Sequence, residues 1–183
     1  MTCRRPYAGW EEFGRKIRDL VAFLKEVGKT DAGLKGTGLI KKPERFSLKF
    51  INMIGKGDQS DLGLLNASMN LGGIDLKNSP LNLRTELTAD EFITIVQIAT
   101  HAEINIPPVP CGVQTQSLPE SPSLEDSLPE QGLLIDIDTI YSGDFNENWE
   151  PLETYLEKSH DISKELFFCL LTADAAEAHP PLD

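Results

Sequence analysis

Apolar residues recur at three- and four-residue steps in two long segments of the chain. The first repeat comprises Trp10, Phe13, Ile17, Leu20, Val21, Leu24 and Val27. This spacing predicts an amphipathic helix over residues 10–27, for which Gly28 is a natural end. The second repeat comprises Trp149, Leu152, Leu156, Ile162, Leu166, Phe167 and Leu170. It predicts a closing helix from about residue 148 to residue 171, with Pro151 in its first turn and Asn146 or Asn148 as its cap.

Other segments alternate between apolar and polar residues and therefore predict strands. Phe46, Leu48 and Phe50 alternate with polar neighbours over residues 45–54. Residues 81–87 and 92–104 predict a hairpin, and residues 133–140 predict a further strand. Residues 62–71 fit either a strand or an irregular segment. The pattern as a whole predicts an α+β fold: an antiparallel sheet of four to six strands with two long amphipathic helices packed on one face.

The length of 183 residues suits one domain with a hydrophobic core, so we expect a single α+β domain over residues 1–183. Residues 107–131 differ in composition, because they hold six of the 12 prolines together with serines and acidic residues. No apolar periodicity survives there, which predicts a mobile loop. Residues 173–183 are expected to form a short disordered tail, with Thr172 available to cap a short terminal turn.

The cysteines and the apolar segments bear on where the protein resides. Cys3, Cys111 and Cys169 are scattered and odd in number, which favours a reducing compartment over a disulfide framework. Cys169, between Phe168 and Leu170, is expected to be buried. No segment approaches the roughly 20 apolar residues of a membrane-spanning helix. No apolar run follows Arg4 and Arg5, so a secretory signal is not predicted. We therefore expect a cytoplasmic protein without a membrane partner.

The net charge of −12 conceals an asymmetry between two parts of the chain. Residues 1–56 carry a local net charge of +7, and residues 57–183 carry −19. The favoured interpretation is that the two parts attract each other within one fold. The alternative is a nucleic-acid site formed by basic residues, for which the candidates are Arg15, Arg18, Lys41, Lys42 and Arg45. Such a site needs stacking aromatics, but Phe13, Phe23, Phe46 and Phe50 are predicted to face the core.

Two acidic residues are the candidate metal ligands. Asp136 and Asp138 are two residues apart on a predicted strand, so they project from the same face. Paired carboxylates bind Mg²⁺ or Ca²⁺, or share the roles of acid and base. The favoured alternative is a strand with one solvent-facing side, since no further oxygen ligands are evident.

No other segment carries a complete catalytic or cofactor-binding motif. Glu157 and His160 form a single Glu-x-x-His step, whereas di-iron bundles use two such steps and additional glutamates, so a solvated helix flank is favoured. Gly28-Lys29-Thr30 lacks the first glycine of a phosphate-binding loop. A nucleophilic pair of His101 and Cys111 lacks a nearby orienting acid along the chain. We therefore expect no catalytic residues and no cofactor.

The order of these segments resembles that of a known family. The resemblance rests on Arg5–Phe13, on Arg45–Ile54, on Leu134–Asp138 and on Leu166–Thr172. It is to a sporadically distributed family of uncharacterised prokaryotic proteins of about 250 residues. The resemblance implies the α+β fold and no assigned activity. It also implies additional strands before the first helix, so we expect that the gene start is misplaced, that the chain is a fragment, or that a partner supplies them. Lys49-Phe50 replaces the family's arginine–tyrosine pair.

These observations favour a non-enzymatic interaction or regulatory module. Strands missing from the sheet would leave an edge open, and an open edge pairs with a protein partner or with a second copy of the chain. The first alternative is a nucleic-acid-binding protein that uses the basic N-terminal third. The second is a metal-dependent enzyme that uses Asp136 and Asp138.

Overall fold

The computed structural model describes residues 9–31, 43–55, 62–103, 132–143, 145 and 149–179, with the side chains of residues 28–31 excepted. It contains the helices α1 (Trp10–Asp31), α2 (Leu152–Leu170) and α3 (Ala173–Ala178). The strands are β1 (Phe46–Ile54), β2 (Asn70–Leu71), β3 (Ile74–Asp75), β4 (Asn82–Ala89), β5 (Phe92–Ala102) and β6 (Gly132–Tyr141). None of the described helices has the length and apolar character needed to cross a membrane.

Four of the strands form an antiparallel sheet in the order β1-β6-β5-β4. The predicted α+β fold with two long helices is confirmed, as is the hairpin of β4 and β5, which a two-residue turn at Asp90 and Glu91 connects. The central strand β6 pairs with β1 on one side and with β5 on the other. A strand from the first third of the chain and one from its middle therefore flank β6. Among the described strands, β1 and β4 lie at the two edges of the sheet.

The two faces of the sheet differ in composition. One face carries buried side chains, among them Leu48, Val96, Ile135 and Ile137, and we call it the helix face because the helices pack on it. The opposite face carries Arg84, Glu86, Gln97, Lys49, Asp136 and Asp138, and we call it the polar face. Since successive residues of a strand point to opposite faces, the alternation in the sequence assigns each residue to one of these faces.

Helix α2 crosses the helix face over β6 and β1. It begins at Leu152, later than predicted, and Pro151 is its N-cap rather than part of its first turn. No side-chain capping bond is present among the described residues, and the predicted caps Asn146 and Asn148 lie outside them. The buried side of α2 includes Leu156 and also two serines, Ser159 and Ser163. Ser163 lies 2.8 Å from the hydroxyl of Thr139 on β6, so this part of the core contains paired hydroxyl groups rather than only hydrocarbon.

Helix α1 packs against α2 and β1 through Trp10, which is buried with Leu48 and Leu156. Gly14 lets the indole ring lie along the helix, because a Cβ at this position would be 3.3 Å from the ring. The helix continues through Gly28 to Asp31, so the predicted end at residue 27 is wrong. Leu20 and Val27, which belong to the predicted apolar stripe, are exposed, and so is Phe23 on the same helix.

The segment before β4 closes one end of the core. Residues Leu62–Leu64 form a short 3-10 turn, and Asn66 donates from Nδ2 to the carbonyl of Leu171 over 2.6 Å. This bond satisfies a carbonyl that follows the last turn of α2. Strands β2 and β3 form a separate hairpin, whose turn uses the positive φ angles of Gly72 and Gly73. Residues 62–71, for which the sequence fits either a strand or an irregular segment, are therefore mostly irregular and end in the first strand of this short hairpin.

The C-terminal part differs from the expectation of a disordered tail beginning at residue 173. Residues 173–178 form α3, which Thr172 caps by accepting a hydrogen bond from the amide of Ala175 over 3.4 Å. Cys169 is exposed on α2, so the expectation of a buried thiol is wrong. The predicted mobile loop at 107–131 lies outside the described residues.

Candidate interaction site

The aspartates predicted as metal ligands lie side by side on the polar face, as the alternation of β6 requires. Asp136 forms an ion pair with Lys49, at 2.8 Å between Oδ2 and Nζ, and its side chain is only 14% exposed. Asp138 accepts a hydrogen bond from the hydroxyl of Ser47. Both partners belong to β1, so the two carboxylates connect β6 to the edge strand.

This arrangement suits cross-strand pairing better than metal coordination. No group of three or more histidine, cysteine, aspartate or glutamate residues converges within the described part of the chain. The ammonium group of Lys49 occupies the position beside Asp136 that a cation would need. Oδ1 of Asp136 is buried and has no hydrogen-bond partner among the described residues. Metal binding by Asp136 and Asp138 stays a prediction.

The predicted nucleic-acid residues are dispersed. Arg15 pairs with Asp19 and Arg18 pairs with Glu157, so each guanidinium already has a carboxylate partner. Arg45 is exposed just before β1. Lys41 and Lys42 lie outside the described residues. Of the aromatic residues expected to face the core, Phe23 is 63% exposed, which corrects that expectation. Nucleic-acid binding also stays a prediction.

The Glu-x-x-His step on α2 lies at the contact with α1, and the expectation of a solvated flank is wrong. The Trp10 indole N–H donates to Glu157 Oε2 over 3.0 Å, and Arg18 donates to the other carboxylate oxygen. The His160 ring stacks on Trp10 with 4.0 Å between ring centroids and 8° between planes. Phe50 of β1 contacts the same imidazole edge-on. The step therefore joins α1 to α2 and the sheet.

Both titratable groups of this contact have shifted pKa values. Burial lowers the pKa of His160 from its ordinary 6.5, and the charge of Lys164 acts in the same direction against the opposing effects of Asp161 and Glu157. Burial by itself would raise the pKa of Glu157. The hydrogen bonds from Trp10 and Arg18 and the charge of Arg18 outweigh this effect, so the pKa is lowered from 4.5.

We expect the free energy of unfolding to fall in two steps as the pH decreases. The unfolded chain binds a proton at His160 more readily than the folded protein does, so this stabilisation is complete above pH 6.5 and is lost below it. The stabilisation from Glu157 is complete above pH 4.5 and is lost as its folded-state carboxylate becomes protonated.

Urea denaturation across this pH range measures the two steps. His160→Phe retains an aromatic ring against Trp10 and should remove the upper step. Glu157→Gln should remove its contribution to the lower step and enlarge the upper one, because the charge of Glu157 raises the pKa of His160. A variant of His160 that keeps the upper step would show that this histidine does not cause it.

A second aromatic cluster occupies the end of the sheet near the turn between β4 and β5. The rings of Tyr141 and Tyr155 stack with 3.8 Å between centroids, and Phe92 and Phe145 contact them edge-on or tilted. Hydrogen bonds to Tyr141 and Glu91, together with burial, raise the pKa of Tyr155 far above its ordinary value. Its phenol therefore stays protonated at neutral pH, and this cluster suits packing better than acid–base chemistry.

The edge strand β4 is exposed along its second half. Among the described residues only β5 pairs with it, so no described strand occupies its outer side, which we call the β4 edge. Residues 86–89 are exposed on both faces of the sheet, and Leu87 is 43% exposed although it belongs to the helix face. Backbone donors and acceptors on the outer side of such a strand are available for pairing.

The other edge strand differs in its surroundings. β1 carries Leu48 on the helix face beneath Trp10 and Leu156, and Phe46 and Phe50 pack against the same cluster. The start of α1 thus lies over β1. Helix α2 crosses β6 and β1 rather than β4. Of the two edge strands, β4 is therefore the one that the described helices contact less.

The sequence predicts an open edge from strands missing before the first helix and does not point to β4. The hairpin pattern identifies β4 and β5 as neighbours, but it does not predict that β5 is the only described strand that pairs with β4. The signal that could have located the edge is the composition of β4, which has an arginine and a glutamate on the face where the central strand β6 has two aspartates. Charged residues of both signs are a common feature of edge strands.

Comparisons of the chain with protein-family models, with curated proteins and with solved structures find no match.

Proposed function

We propose that this protein is a non-enzymatic interaction module whose β4 edge binds an extended segment of a protein partner. The observation that carries the proposal is the exposure of residues 86–89 on both faces of an edge strand. A segment that pairs there adds a strand to the sheet, and its main-chain hydrogen bonds supply affinity.

The side chains along the β4 edge indicate what kind of segment binds. Arg84 and Glu86 form an ion pair at 3.0 Å on the polar face, and each side chain is 55% exposed. Leu87 offers an apolar contact on the helix face. The preferred segment therefore alternates charged and apolar residues, because neighbouring strands share the same faces. We place this module in the cytoplasm on the basis of its scattered cysteines.

Selection of random displayed peptides against the purified chain tests this function. We expect the selected peptides to be extended and to slow amide hydrogen exchange in β4. Leu87→Asp should weaken their binding, because it places a charge where an apolar contact forms. Phe23→Asp is the matched control, since Phe23 is an exposed apolar residue on α1. Peptides that protect the helices or the polar face of β1 instead of β4 would contradict the proposal.

A further inference from the structure

The sequence of β4 is complementary to itself when it is read in opposite directions. Its central five residues are Leu83-Arg84-Thr85-Glu86-Leu87. Thr85 is at the centre, residues of opposite charge flank it, and a leucine lies at each end. Such a segment can pair antiparallel with an identical segment.

The fold assigns these residues to the faces that self-pairing requires. Thr85 pairs with the buried Val96 of β5, so Leu83, Thr85 and Leu87 lie on the helix face. Arg84 and Glu86 lie on the polar face opposite Gln97 and Ile95. A two-fold axis perpendicular to the sheet keeps the helix faces of both copies on one side and their polar faces on the other. Leucines of one copy therefore lie opposite leucines of the other, and charged residues lie opposite charged residues.

We propose that the partner at the β4 edge is a second copy of this chain, paired antiparallel about Thr85 to form a continuous eight-stranded sheet. This inference rests on the proposed function and names its partner. Arg84 of each copy then lies opposite Glu86 of the other, and Leu87 lies opposite Leu83. Each interface contains two such charge pairs and two such leucine pairs, because the two-fold axis repeats every contact.

Charge selects this register over its neighbours. A shift of the axis to Arg84 would place two arginines directly opposite each other, and a shift to Glu86 would do the same with two glutamates. Like charges directly opposite each other destabilise a strand pair. The intervening registers do not occur, because they would place a helix-face residue opposite a polar-face residue.

The position of the helices permits the approach of a second copy. Helix α2 crosses β6 and β1, and Trp10 anchors α1 above Leu48 of β1. The start of α1 and most of α2 therefore lie over β6 and β1 rather than over β4. Pairing also covers the exposed part of Leu87, which the isolated chain leaves in water.

Charge reversal tests the register directly. Arg84→Glu places two pairs of glutamates across the axis, and Glu86→Arg places two pairs of arginines there. Size-exclusion chromatography with light scattering should show the unchanged chain passing on concentration from 20.2 kDa to twice that mass. In about 0.15 M salt, where the Debye length is about 8 Å, each single variant should raise the dissociation constant more than about tenfold.

Combinations of the same substitutions make the test specific to this pairing. A mixture of R84E and E86R should form a heterodimer, because every charge pair across the axis is then opposite in sign. The double variant R84E/E86R should dimerise as the unchanged chain does. Arg15→Glu is the matched control, because it reverses the charge of an exposed arginine that is also ion-paired but lies on α1. It should leave the dissociation constant unchanged.

Three results would overturn the inference: an unchanged chain that stays monomeric throughout the dilution series, single variants that dimerise as tightly as the unchanged chain, or a mixture that forms no heterodimer. Each is distinguishable from failure of the proposed function. A monomeric chain whose β4 is protected by selected peptides retains the β4 edge as an interaction site for a different partner.

Discussion

Replacing Trp10 with alanine should lower the free energy of unfolding by about 3–5 kcal/mol, the range for deletion of a buried aromatic side chain. The ring stacks on His160, contacts Phe50 and donates a hydrogen bond to Glu157, so its removal takes away contacts that join the start of α1 to both α2 and β1. Urea denaturation followed by circular dichroism measures the loss, and amide exchange should show α1 as the first element to lose protection.

Phe23→Ala provides the control on the same helix. Phe23 is exposed, so its removal should change the free energy of unfolding by no more than about 0.5 kcal/mol. If the two alanine variants were equally stable, the contact between α1 and α2 would not hold the helix in place.

Ile137→Ala should lower the free energy of unfolding by about 2–5 kcal/mol. Ile137 lies on the helix face near the centre of β6 and is completely buried. Truncation leaves a cavity that the surrounding strands cannot fill, because β6 has a strand on each side. Thermal or urea denaturation gives the difference.

Ile51→Ala is the matched isoleucine variant for the opposite face. Ile51 lies on β1 beside Asp136 in the register and is 57% exposed. Its truncation should cost less than about 1 kcal/mol, which is the range of intrinsic strand preference. A cost equal to that of Ile137→Ala would mean that the polar face is as deeply packed as the helix face.

The periodicity of the sequence predicts the architecture because burial on one face imposes it. Alternation over β1 and β6 marks one buried side, and two apolar repeats mark the helices that cover it. The ends of the helices were less predictable. Gly28 suggests a stop, but a single glycine in a helix costs only about 1 kcal/mol, and α1 continues through it to Asp31.

The polar groups at helix contacts escaped prediction for a different reason. Ser159 and Ser163 interrupt the apolar stripe of α2, yet both are buried. Ser163 lies against the hydroxyl of Thr139, which in turn lies near that of Thr94, whereas the Ser159 hydroxyl has no hydrogen-bond partner among the described residues. The sequence around Glu157 and His160 predicts a solvated helix flank, but in the fold Trp10 of α1 packs against both residues. The contact between Trp10 and Glu157 joins residues 147 positions apart, so no local pattern in the sequence predicts it.

That β4 lies at an edge of the described sheet also could not be predicted from local sequence, whereas the residue types along it can be read from the sequence directly. Whether a strand has a second partner depends on the order of the whole sheet. Once the order β1-β6-β5-β4 is known, the sequence shows which side chains the edge strand carries. These are the opposite charges of Arg84 and Glu86 and the leucines that flank them. The local sequence thus gives β4 its charged residues and its leucines, and the order of the described strands places β4 at an edge.

Amide hydrogen exchange in dilute protein tests the open β4 edge most directly. In an edge strand, the amides that face the neighbouring strand are hydrogen-bonded and the alternate amides face outward. We expect every second amide of β4 to exchange nearly as fast as in an unfolded chain, while amides along β6 remain protected on both sides. Uniform protection of all β4 amides at the level of β6 would show that the edge is already occupied, and would contradict the proposed interaction site.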